Sequence, residues 1–290
     1  MATPEQWLAG ARPRTLPAAV APVLAGTAVA AYLDAAVWWK ALLALVVALA
    51  LQVGVNYAND YSDGIRGTDA DRVGPLRLVG SGVAAPAQVK QAAFVAFGVA
   101  AVAGLVLALT SAWWLVLLGA LCVAAAWFYT GGRTPYGYNA LGEVMVFVFF
   151  GLVAVVGTTY VQAGTAPLAS WFAASGVGAL ACGILVANNL RDIPTDREVG
   201  KRTLAVVLGE QQTRYFFAFL VAVAAIMLVG LAVAVGVGAL LGLVYLATAG
   251  PATRVVLGGA DGRALIPVLQ KVGVAEILYA AGLFLGIAFA

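Results

Sequence analysis

Apolar stretches long enough to cross a lipid bilayer recur along the whole chain. A membrane-spanning helix needs about 20 mostly apolar residues. Reading the apolar runs between polar breaks predicts nine helices: 15–33, 39–58, 91–111, 113–131, 142–163, 169–190, 214–236, 238–257 and 273–290. The runs are continuous and lack the period-two alternation of a transmembrane β-barrel. We therefore predict an all-α polytopic membrane protein with a single transmembrane domain over residues 1–290, and no signal peptide separable from the first helix.

The composition limits which chemistry is available. Of the 290 residues, 63% are hydrophobic and only 10% are charged, against roughly a quarter charged in a soluble domain. Histidine is absent, and Cys122 and Cys182 both lie inside apolar runs. The usual imidazole base and nitrogen ligand are therefore missing, and the thiols predict neither a disulfide framework nor a thiolate metal site. Any chemistry must use carboxylates, amides, Arg, Lys, Tyr or a hard metal ion.

The basic residues are distributed unevenly between the two sides of the predicted bundle. Fifteen of the sixteen Lys and Arg residues fall on the side of the N-terminus, and Lys40 alone falls on the other. Cytoplasmic loops of membrane proteins carry an excess of Lys and Arg. We therefore expect a cell-membrane protein whose N-terminus and two long loops, 59–90 and 191–213, are cytoplasmic. An odd number of helices then places the C-terminus outside.

Eight of the thirteen acidic residues lie in these two loops. The first loop begins NDYSD, from Asn59 to Asp63, and the second segment reads NNLRDIPTD, from Asn188 to Asp196. Each segment has an Asn four residues before an Asp, and the second adds another Asp four residues later. Because residues four apart share a face of a continuing helix, Asn59 should lie beside Asp63, and Asn188 beside Asp192 and Asp196.

These two Asn/Asp stripes predict a magnesium and diphosphate site. Carboxylates on one face repel one another unless a cation lies against them, and Mg²⁺ commonly binds through one or two carboxylates plus substrate phosphates. Basic residues among the stripes would bind the remaining phosphate oxygens: Arg66, Arg72, Arg191, Lys201 and Arg202. The alternative is a pair of solvated charged loops whose basic residues only set the topology. A diphosphate at the mouth of an apolar bundle indicates a prenyl chain inside it, and hence a prenyltransferase.

The two segments resemble the aspartate-rich signatures of the UbiA-type membrane prenyltransferases. The stretches that carry the resemblance are NDYSDGIRGTD and NNLRDIPTDREVGKRTLAVVLG. The resemblance covers essentially the whole chain, and it implies nine transmembrane helices around a central cavity, with the signatures after the second and sixth helices. Within the superfamily, ARPRTLPAAVAPVLAGTA, GTDADRVGPLRLV and YTGGRTPYGYNALGEVMVFVFFG resemble the 1,4-dihydroxy-2-naphthoate prenyltransferases of menaquinone synthesis.

This resemblance implies a reaction and a set of binding residues. A polyprenyl group would pass from an all-trans polyprenyl diphosphate to 1,4-dihydroxy-2-naphthoate, with loss of diphosphate and CO₂, to give demethylmenaquinone. The residues implied around Mg²⁺ and diphosphate are Asn59, Asp63, Asn188, Asp192 and Asp196, and Asp60 belongs to the same signature. The superfamily pattern places an acid at position 67, where this chain has Gly67. The next acid, Asp69, is then expected to reach the metal from the loop, and the role of Asp71 stays open.

Further residues are candidates for binding the substrates. Arg14, Arg66, Arg133 and Lys201 could bind the acceptor carboxylate or the diphosphate, or could simply set the topology. Tyr129 and Tyr136, with Tyr138 and Phe128 nearby, could stabilise an allylic carbocation, or belong to the interfacial aromatic belt. Glu143 is an acid near membrane depth, where ionisable residues are functional candidates; a pair with Arg133 is the alternative.

Two other functions remain as alternatives. A related prenyltransferase could use hydroxybenzoate, homogentisate, haem or chlorophyllide as its acceptor, although RPRTLP and DRVGPLRLV favour naphthoate. A cation transporter would also use carboxylates within the membrane, but transporters place them near the midplane, and these acids fall at helix ends. The lipid bilayer is the expected surrounding, and no nucleic-acid partner is expected.

Overall fold

The computed structural model describes residues 2–67 and 76–288, and within these ranges the chain is helical and forms no named strand. The α-helices are α1 (Pro4–Gly10), α2 (Pro17–Tyr32), α3 (Trp38–Arg66), α4 (Pro86–Thr110), α5 (Leu115–Phe128), α6 (Gly142–Val146), α7 (Ala154–Ala163), α8 (Leu168–Glu198), α9 (Leu204–Leu208), α10 (Glu210–Val235), α11 (Leu246–Leu257) and α12 (Ile266–Ile287). A π-helical segment, Phe147–Val153, joins α6 to α7. Short 3₁₀ segments are Pro13–Thr15, Tyr136–Tyr138, Val237–Tyr245 and Gly262–Leu265.

Seven helical stretches are long and apolar enough to cross a membrane: Trp38–Arg66, Pro86–Thr110, Gly142–Ala163, Leu168–Glu198, Glu210–Val235, Val237–Leu257 and Gly262–Ile287. The pair Pro4–Thr15 and Pro17–Tyr32, which is bent by 49°, makes an eighth if it counts as one span. The remaining predicted helix, 113–131, corresponds to α5, whose 14 residues extend about 21 Å. The described part of the chain is thus an all-helical, multi-pass membrane protein with seven or eight spans by this measure, where the sequence predicts nine.

Both acidic segments are helical extensions of spans. α3 continues beyond its predicted end at residue 58 to Arg66, and α8 continues beyond residue 190 to Glu198. α8 is also the central helix, since 72% of its most apolar window is buried, against 50% or less in the other six spans. The Asn/Asp stripes therefore lie on the last turns of two long helices, one of which runs through the middle of the bundle.

Val237–Tyr245 packs against α12 backbone to backbone. A Cβ atom added at Gly238 would lie 2.0 Å from the carbonyl oxygen of Gly286, and one added at Gly286 would lie equally close to the carbonyl oxygen of Gly238. A Cβ at Gly282 would lie 2.4 Å from the carbonyl oxygen of Leu241. Small residues let membrane helices approach closely without help from the hydrophobic effect, and these glycines do so here.

A cavity of about 900 Å³ lies between α2, α3, α4, α5, the π-helical segment and α7. Its wall consists mainly of Ala, Val, Leu and aromatic side chains, and α3 contributes three polar side chains, from Gln52, Asn56 and Asn59. A smaller pocket adjoins it between α5 and the π-helical segment and shares Leu118, Ala125 and Phe149 with it. The cavity is therefore a largely apolar space with polar groups along one helix.

Candidate active site

At the end of α3, Asn59 and Asp63 face the segment 129–139. The hydroxyl of Thr130 donates a hydrogen bond to Oδ1 of Asn59 at 2.8 Å, and the hydroxyl of Tyr138 donates to Oδ1 of Asp63 at 2.7 Å. Asp63 is only 4% exposed, and Asn59 lines the cavity. Because α3 stays helical to Arg66, the two side chains share a face as predicted, at one end of the cavity.

Asp60 points to a different part of the chain. Its carboxylate accepts hydrogen bonds from the backbone N–H groups of Leu78 and Val79, at 2.8 and 3.0 Å, and it is completely buried. These contacts hold the segment from residue 76 onward against α3. The predicted site residues Asp69 and Arg72, together with Asp71, lie outside the described residues.

Gly67 ends α3 in a left-handed backbone conformation, with φ of 74°. Glycine adopts this conformation without strain, whereas a residue with a Cβ does so at a cost. This helix end gives a physical reason for the absence of the acid that the superfamily pattern places at position 67.

At the end of α8, the acidic stripe is paired with cations from its own segment. Arg191 binds the carboxylate of Asp192 through two contacts, Nε to Oδ1 at 2.6 Å and Nη2 to Oδ2 at 2.7 Å, and Nη2 also donates to Oδ1 of Asn188 at 2.9 Å. Nζ of Lys201 lies 3.5 Å from Oδ1 of Asp196. Arg191, Asp192 and Asp196 are each less than a tenth exposed, so these buried charges are paired, as buried charges must be.

Tyr138 connects the two segments. Its hydroxyl binds Asp63, its ring centre lies 5.6 Å from the guanidinium of Arg66 and 5.1 Å from Nζ of Lys201, and its carbonyl oxygen accepts from the backbone N–H of Arg202 at 3.1 Å. The end of α3 and the chain following α8 therefore meet at a single aromatic ring. The sequence indicates Tyr138 only as one of several aromatic residues, and nothing in it signals this connecting position.

The other cationic residues predicted at the site differ in their surroundings. Arg66 donates hydrogen bonds to the carbonyl oxygens of Thr130 and Gly132, so its guanidinium holds the segment that faces α3. Arg14 and Arg133 are exposed. The structure therefore brings Arg191 and Lys201 to the carboxylates of α8, uses the exposed Arg66 to hold the facing segment, and leaves Arg14 and Arg133 at the surface.

Glu143 is buried and accepts a hydrogen bond from Nδ2 of Asn189 at 2.9 Å. The sequence offered an ion pair between Glu143 and Arg133 as an alternative. In the structure the hydrogen-bond partner of Glu143 is instead Asn189, the residue that follows Asn188. Asn189 is thus a second residue whose position the sequence does not signal, and it ties Glu143 to the last turns of α8.

Three of the predicted aromatic residues line the cavity: Phe128, Tyr129 and Tyr136. The rings of Tyr129 and Tyr136 lie 5.5 Å apart in an edge-to-face arrangement. The hydroxyl of Tyr136 donates to the carbonyl oxygen of Ala125 at 2.6 Å, and burial raises its pKa above the ordinary tyrosine value. Tyr136 is therefore a neutral hydrogen-bond donor whose ring forms part of the cavity wall.

The polar stripe on α3 extends further into the cavity than predicted. Gln52 and Asn56 precede Asn59 and Asp63 at steps of four, three and four residues, which keeps all four side chains on one helical face. Gln52 and Asn56 line the cavity and are buried. A search backward from Asn59 at steps of three as well as four residues would have identified both residues.

The residues present fit Mg²⁺ that is shared with a substrate phosphate. Within residues 2–67 and 76–288, no three Asp, Glu, Cys or His side chains converge to form a metal site by themselves. The donors at the two helix ends are oxygen atoms: the carboxylates of Asp63, Asp192 and Asp196 and the amide oxygens of Asn59 and Asn188. Mg²⁺ prefers oxygen ligands and usually binds through few carboxylates plus phosphates rather than in a closed protein cage.

Comparison with known sequences identifies close relatives. The chain matches the UbiA prenyltransferase family over residues 19–260. It is 56% identical over 292 residues to a Mycobacterium tuberculosis protein named 1,4-dihydroxy-2-naphthoate octaprenyltransferase, a match covering 100% of this chain and 99% of the relative. An Escherichia coli protein of the same name is 42% identical over 230 residues, covering 74% of this chain and 72% of the relative.

Solved structures share the fold. The apo structure of a UbiA homolog from Aeropyrum pernix superimposes with a TM-score of 0.71 at 17% identity, over 97% of this chain and 98% of the other. A UbiA homolog from Archaeoglobus fulgidus bound to GPP and Mg²⁺ gives a TM-score of 0.66 at 14% identity, over 97% and 99%. With the match over residues 19–260 and the identity to full-length relatives, the chain belongs to the UbiA prenyltransferase family.

Proposed function

We propose that the protein transfers a polyprenyl group from an all-trans polyprenyl diphosphate to 1,4-dihydroxy-2-naphthoate, with release of diphosphate and CO₂. The observation that carries this proposal is the pair of Asn/Asp helix ends that meet at Tyr138, next to an apolar cavity of about 900 Å³. The choice of acceptor is supported by the 56% identity to a protein named 1,4-dihydroxy-2-naphthoate octaprenyltransferase. A polar rim on an apolar cavity suits a ligand with a diphosphate head and a hydrocarbon tail.

The two helix ends would hold the diphosphate together with Mg²⁺. Asp63, Asp192, Asp196, Asn59 and Asn188 supply the metal ligands, and the resemblance adds Asp69 from the loop. Mg²⁺ held there would neutralise charge on the leaving diphosphate and so would assist ionisation of the allylic C–O bond. Among the cations, Arg191 and Lys201 already lie at the carboxylates, and we assign them, with Arg66 and Arg72, to the remaining phosphate oxygens.

The cavity would hold the prenyl chain and keep water away from the reacting carbon. Water would capture an allylic cation, and the wall of Ala, Val, Leu and aromatic side chains limits its entry. The ring faces of Tyr129 and Tyr136, which both line the cavity, would stabilise positive charge on the allylic group. Asp60 and Glu143 bind protein groups, so we assign them to positioning the helix ends.

The acceptor ring would attack C1 of the allylic group at the ring carbon that bears the carboxylate. The new C–C bond forms as the C–O bond to diphosphate breaks. The bond to the carboxylate then breaks, its electron pair restores the aromatic ring, and CO₂ leaves in place of a proton. No strong general base is required, which agrees with a chain that contains no histidine.

We further propose nine spans, with the N-terminus and both Asn/Asp helix ends in the cytoplasm and the C-terminus outside the cell membrane. α5 would be the ninth span. Trp113 and Trp114 precede it and Trp127 lies near its end, and tryptophans at both interfaces together with local thinning of the bilayer accommodate a short helix. The fifteen basic residues on one side support this orientation.

Reconstituted enzyme tests the proposal directly. Purified protein in lipid vesicles would receive an all-trans polyprenyl diphosphate, Mg²⁺ and 1,4-dihydroxy-2-naphthoate. We expect demethylmenaquinol, which oxygen oxidises to demethylmenaquinone during extraction, and diphosphate in equal amounts, with no product after chelation by EDTA. Parallel reactions would contain hydroxybenzoate, homogentisate, haem or chlorophyllide. Product with one of these and none with naphthoate would show that the acceptor is wrong, and no diphosphate release with any acceptor would refute the prenyltransferase.

A further inference from the structure

A polar cluster lies inside the cavity wall, away from the acidic helix ends. Gln52 and Asn56 on α3 meet Thr15, which ends the turn between α1 and α2. Gln52 and Asn56 are 6% and 3% exposed, and both line the cavity. Along α3, Gln52 is about 10 Å from Asn59 at 1.5 Å per residue. The cluster is thus a separate polar position within an otherwise apolar space.

The hydrogen bonds of this cluster use every amide N–H group. Nε2 of Gln52 donates to Oγ1 of Thr15 at 3.0 Å and to Oδ1 of Asn56 at 3.4 Å, and Nδ2 of Asn56 donates to the carbonyl oxygen of Ala11 at 2.9 Å and to Oγ1 of Thr15 at 3.0 Å. Each amide nitrogen carries two hydrogens, so all four are bonded. The orientation of the Gln52 amide follows, because only its nitrogen can make these contacts.

One polar atom of the cluster is left over. Oε1 of Gln52 is buried and has no hydrogen-bond partner within residues 2–67 and 76–288. A buried acceptor without a donor is unfavourable, and native proteins satisfy nearly all such atoms. The oxygen can only accept a hydrogen bond, so the group that completes the cluster must be a donor.

The turn that holds Thr15 is strained. Arg12 has φ of 53° and ψ of 68°, a left-handed conformation that non-glycine residues rarely adopt. The carbonyl oxygen of Arg12 accepts from the hydroxyl of Thr15 at 2.9 Å, and its guanidinium donates to the carbonyl oxygen of Asn56 at 3.4 Å. Such strain persists where the surroundings hold it, most often at functional sites. Here the turn places Oγ1 of Thr15 where the amides of Gln52 and Asn56 both donate to it.

We infer, on the basis of the proposed function, that Oε1 of Gln52 accepts a hydrogen bond from a ring hydroxyl of the aromatic acceptor. Gln52 is then a specificity-determining residue: it selects acceptors that carry a hydroxyl directed away from the diphosphate, and it disfavours ethers at that position. The interval of about 10 Å between Gln52 and Asn59 along α3 is one that a two-ring acceptor and a hydrogen bond together can span. The ring would lie between the prenyl diphosphate and this amide.

Replacement of Gln52 by methionine tests the inference. Gln52→Met keeps the length of the side chain and removes the acceptor atom together with the N–H groups that bind Thr15 and Asn56. In vesicles we expect the KM for 1,4-dihydroxy-2-naphthoate to rise about tenfold, the loss of one hydrogen bond, and the KM for the polyprenyl diphosphate to change by less than about twofold. A rise in both constants, or in neither, would overturn the inference.

Gln162→Met is the matched control. The amide of Gln162 on α7 is also buried, but it is fully bonded: Nε2 donates to Thr27 and to the carbonyl oxygen of Thr158, and Oε1 accepts from the backbone N–H of Val37. We expect this variant to unfold at a lower temperature with an unchanged KM for the acceptor. If Gln52→Met does not fold, Gln52→Asn retains the amide but withdraws it by about 1.5 Å, and the same selective rise in KM is expected.

An acceptor analogue separates a contact from a general packing effect. In 1-hydroxy-4-methoxy-2-naphthoate a methoxy group replaces the hydroxyl at position 4, so this position can no longer donate a hydrogen bond. Wild-type protein should show a KM about tenfold higher for the analogue than for the parent acceptor, and Gln52→Met should show the same KM for both. Equal discrimination by wild type and variant would refute the contact. Failure of wild-type protein to prenylate the parent acceptor at all would instead refute the proposed function.

Discussion

The two acidic helix ends are held by different kinds of contact. At the end of α3, contacts between described residues that orient the stripe include neutral donors: the hydroxyls of Thr130 and Tyr138 and the backbone N–H groups that bind Asp60. At the end of α8, they come from the charged groups of Arg191 and Lys201. A lost neutral donor weakens one hydrogen bond, whereas a lost member of a buried ion pair leaves an uncompensated charge. Similar substitutions at the ends of α3 and α8 should therefore change the stability of the protein by different amounts.

Removal of one carboxylate, at the end of either α3 or α8, should have the largest effect on turnover. Asp63→Ala and Asp192→Ala should each abolish turnover, a loss of about a thousandfold or more, with folded protein still present in the membrane. Asp192→Ala should in addition lose about 3 kcal/mol of stability, because the buried guanidinium of Arg191 loses its partner. Turnover in vesicles and thermal unfolding in detergent measure the two effects. Retained activity in either variant would contradict the two-segment metal site. Equal melting temperatures for Asp63→Ala and Asp192→Ala would show that the two helix ends do not differ in how they are stabilised.

Loss of the Tyr138 hydroxyl, which lies between the ends of α3 and α8, should have an intermediate effect on turnover. Tyr138→Phe keeps the ring between Arg66 and Lys201 but removes the bond to Asp63. We expect kcat to fall about tenfold, and the Mg²⁺ concentration for half-maximal activity to rise, because Asp63 is less well oriented. Tyr136→Phe is the matched control, since its hydroxyl binds Ala125. An unchanged Mg²⁺ dependence in Tyr138→Phe would show that the contact does not position a metal ligand.

A smaller effect is expected at Asp60. In Asp60→Asn one carboxylate oxygen becomes an NH₂ group, which cannot accept from the backbone, so one of the bonds to Leu78 and Val79 is lost. We expect faster hydrogen–deuterium exchange at these two amides, about 1 kcal/mol lower stability, and a decrease in turnover of less than about fivefold. A loss as large as that of Asp63→Ala would mean that Asp60 itself binds metal or substrate.

The smallest effect should come from restoring the missing acid. Gly67→Asp places a Cβ in a left-handed conformation at the end of α3, and the strain should cost about 1 kcal/mol. Turnover should change by less than about twofold, because Asp63 and the groups at the end of α8 already supply the donors. Melting temperature and initial rate are the measurements. A clear rise in rate would show that an acid at this position reaches the metal.

The sequence predicts the parts of this site that depend on local geometry. Spacing of four residues places Asn59 beside Asp63 because α3 remains helical to Arg66, and a step of three followed by a step of four extends the same helical face backward to Asn56 and Gln52. The contact between Asp63 and Tyr138 joins residues 75 positions apart. Periodicity carries no information at that distance, so the role of Tyr138 became visible only in the fold.

Two other differences have local causes that spacing rules do not include. Neighbours in a helix do not face each other, yet the long side chain of Arg191 reaches the carboxylate of Asp192 beside it. The apolar run 113–131 predicts a full span, but the helix begins only at Leu115 and ends at Phe128. Hydropathy measures how apolar a segment is and does not detect where its backbone becomes helical.

The glycine contact between Val237–Tyr245 and α12 limits how this sequence can diverge. At Gly238 and Gly286 even a methyl group would meet a carbonyl oxygen at 2.0 Å. In a saturation mutagenesis library we therefore expect these two positions to reject almost every substitution, as Asp63 does, although they take no part in the chemistry. Intolerance scores from such a library would mark both catalysis and close backbone packing. An assay that reports membrane abundance alongside turnover would separate them, because glycine variants would lose protein and Asp63 variants would lose only activity.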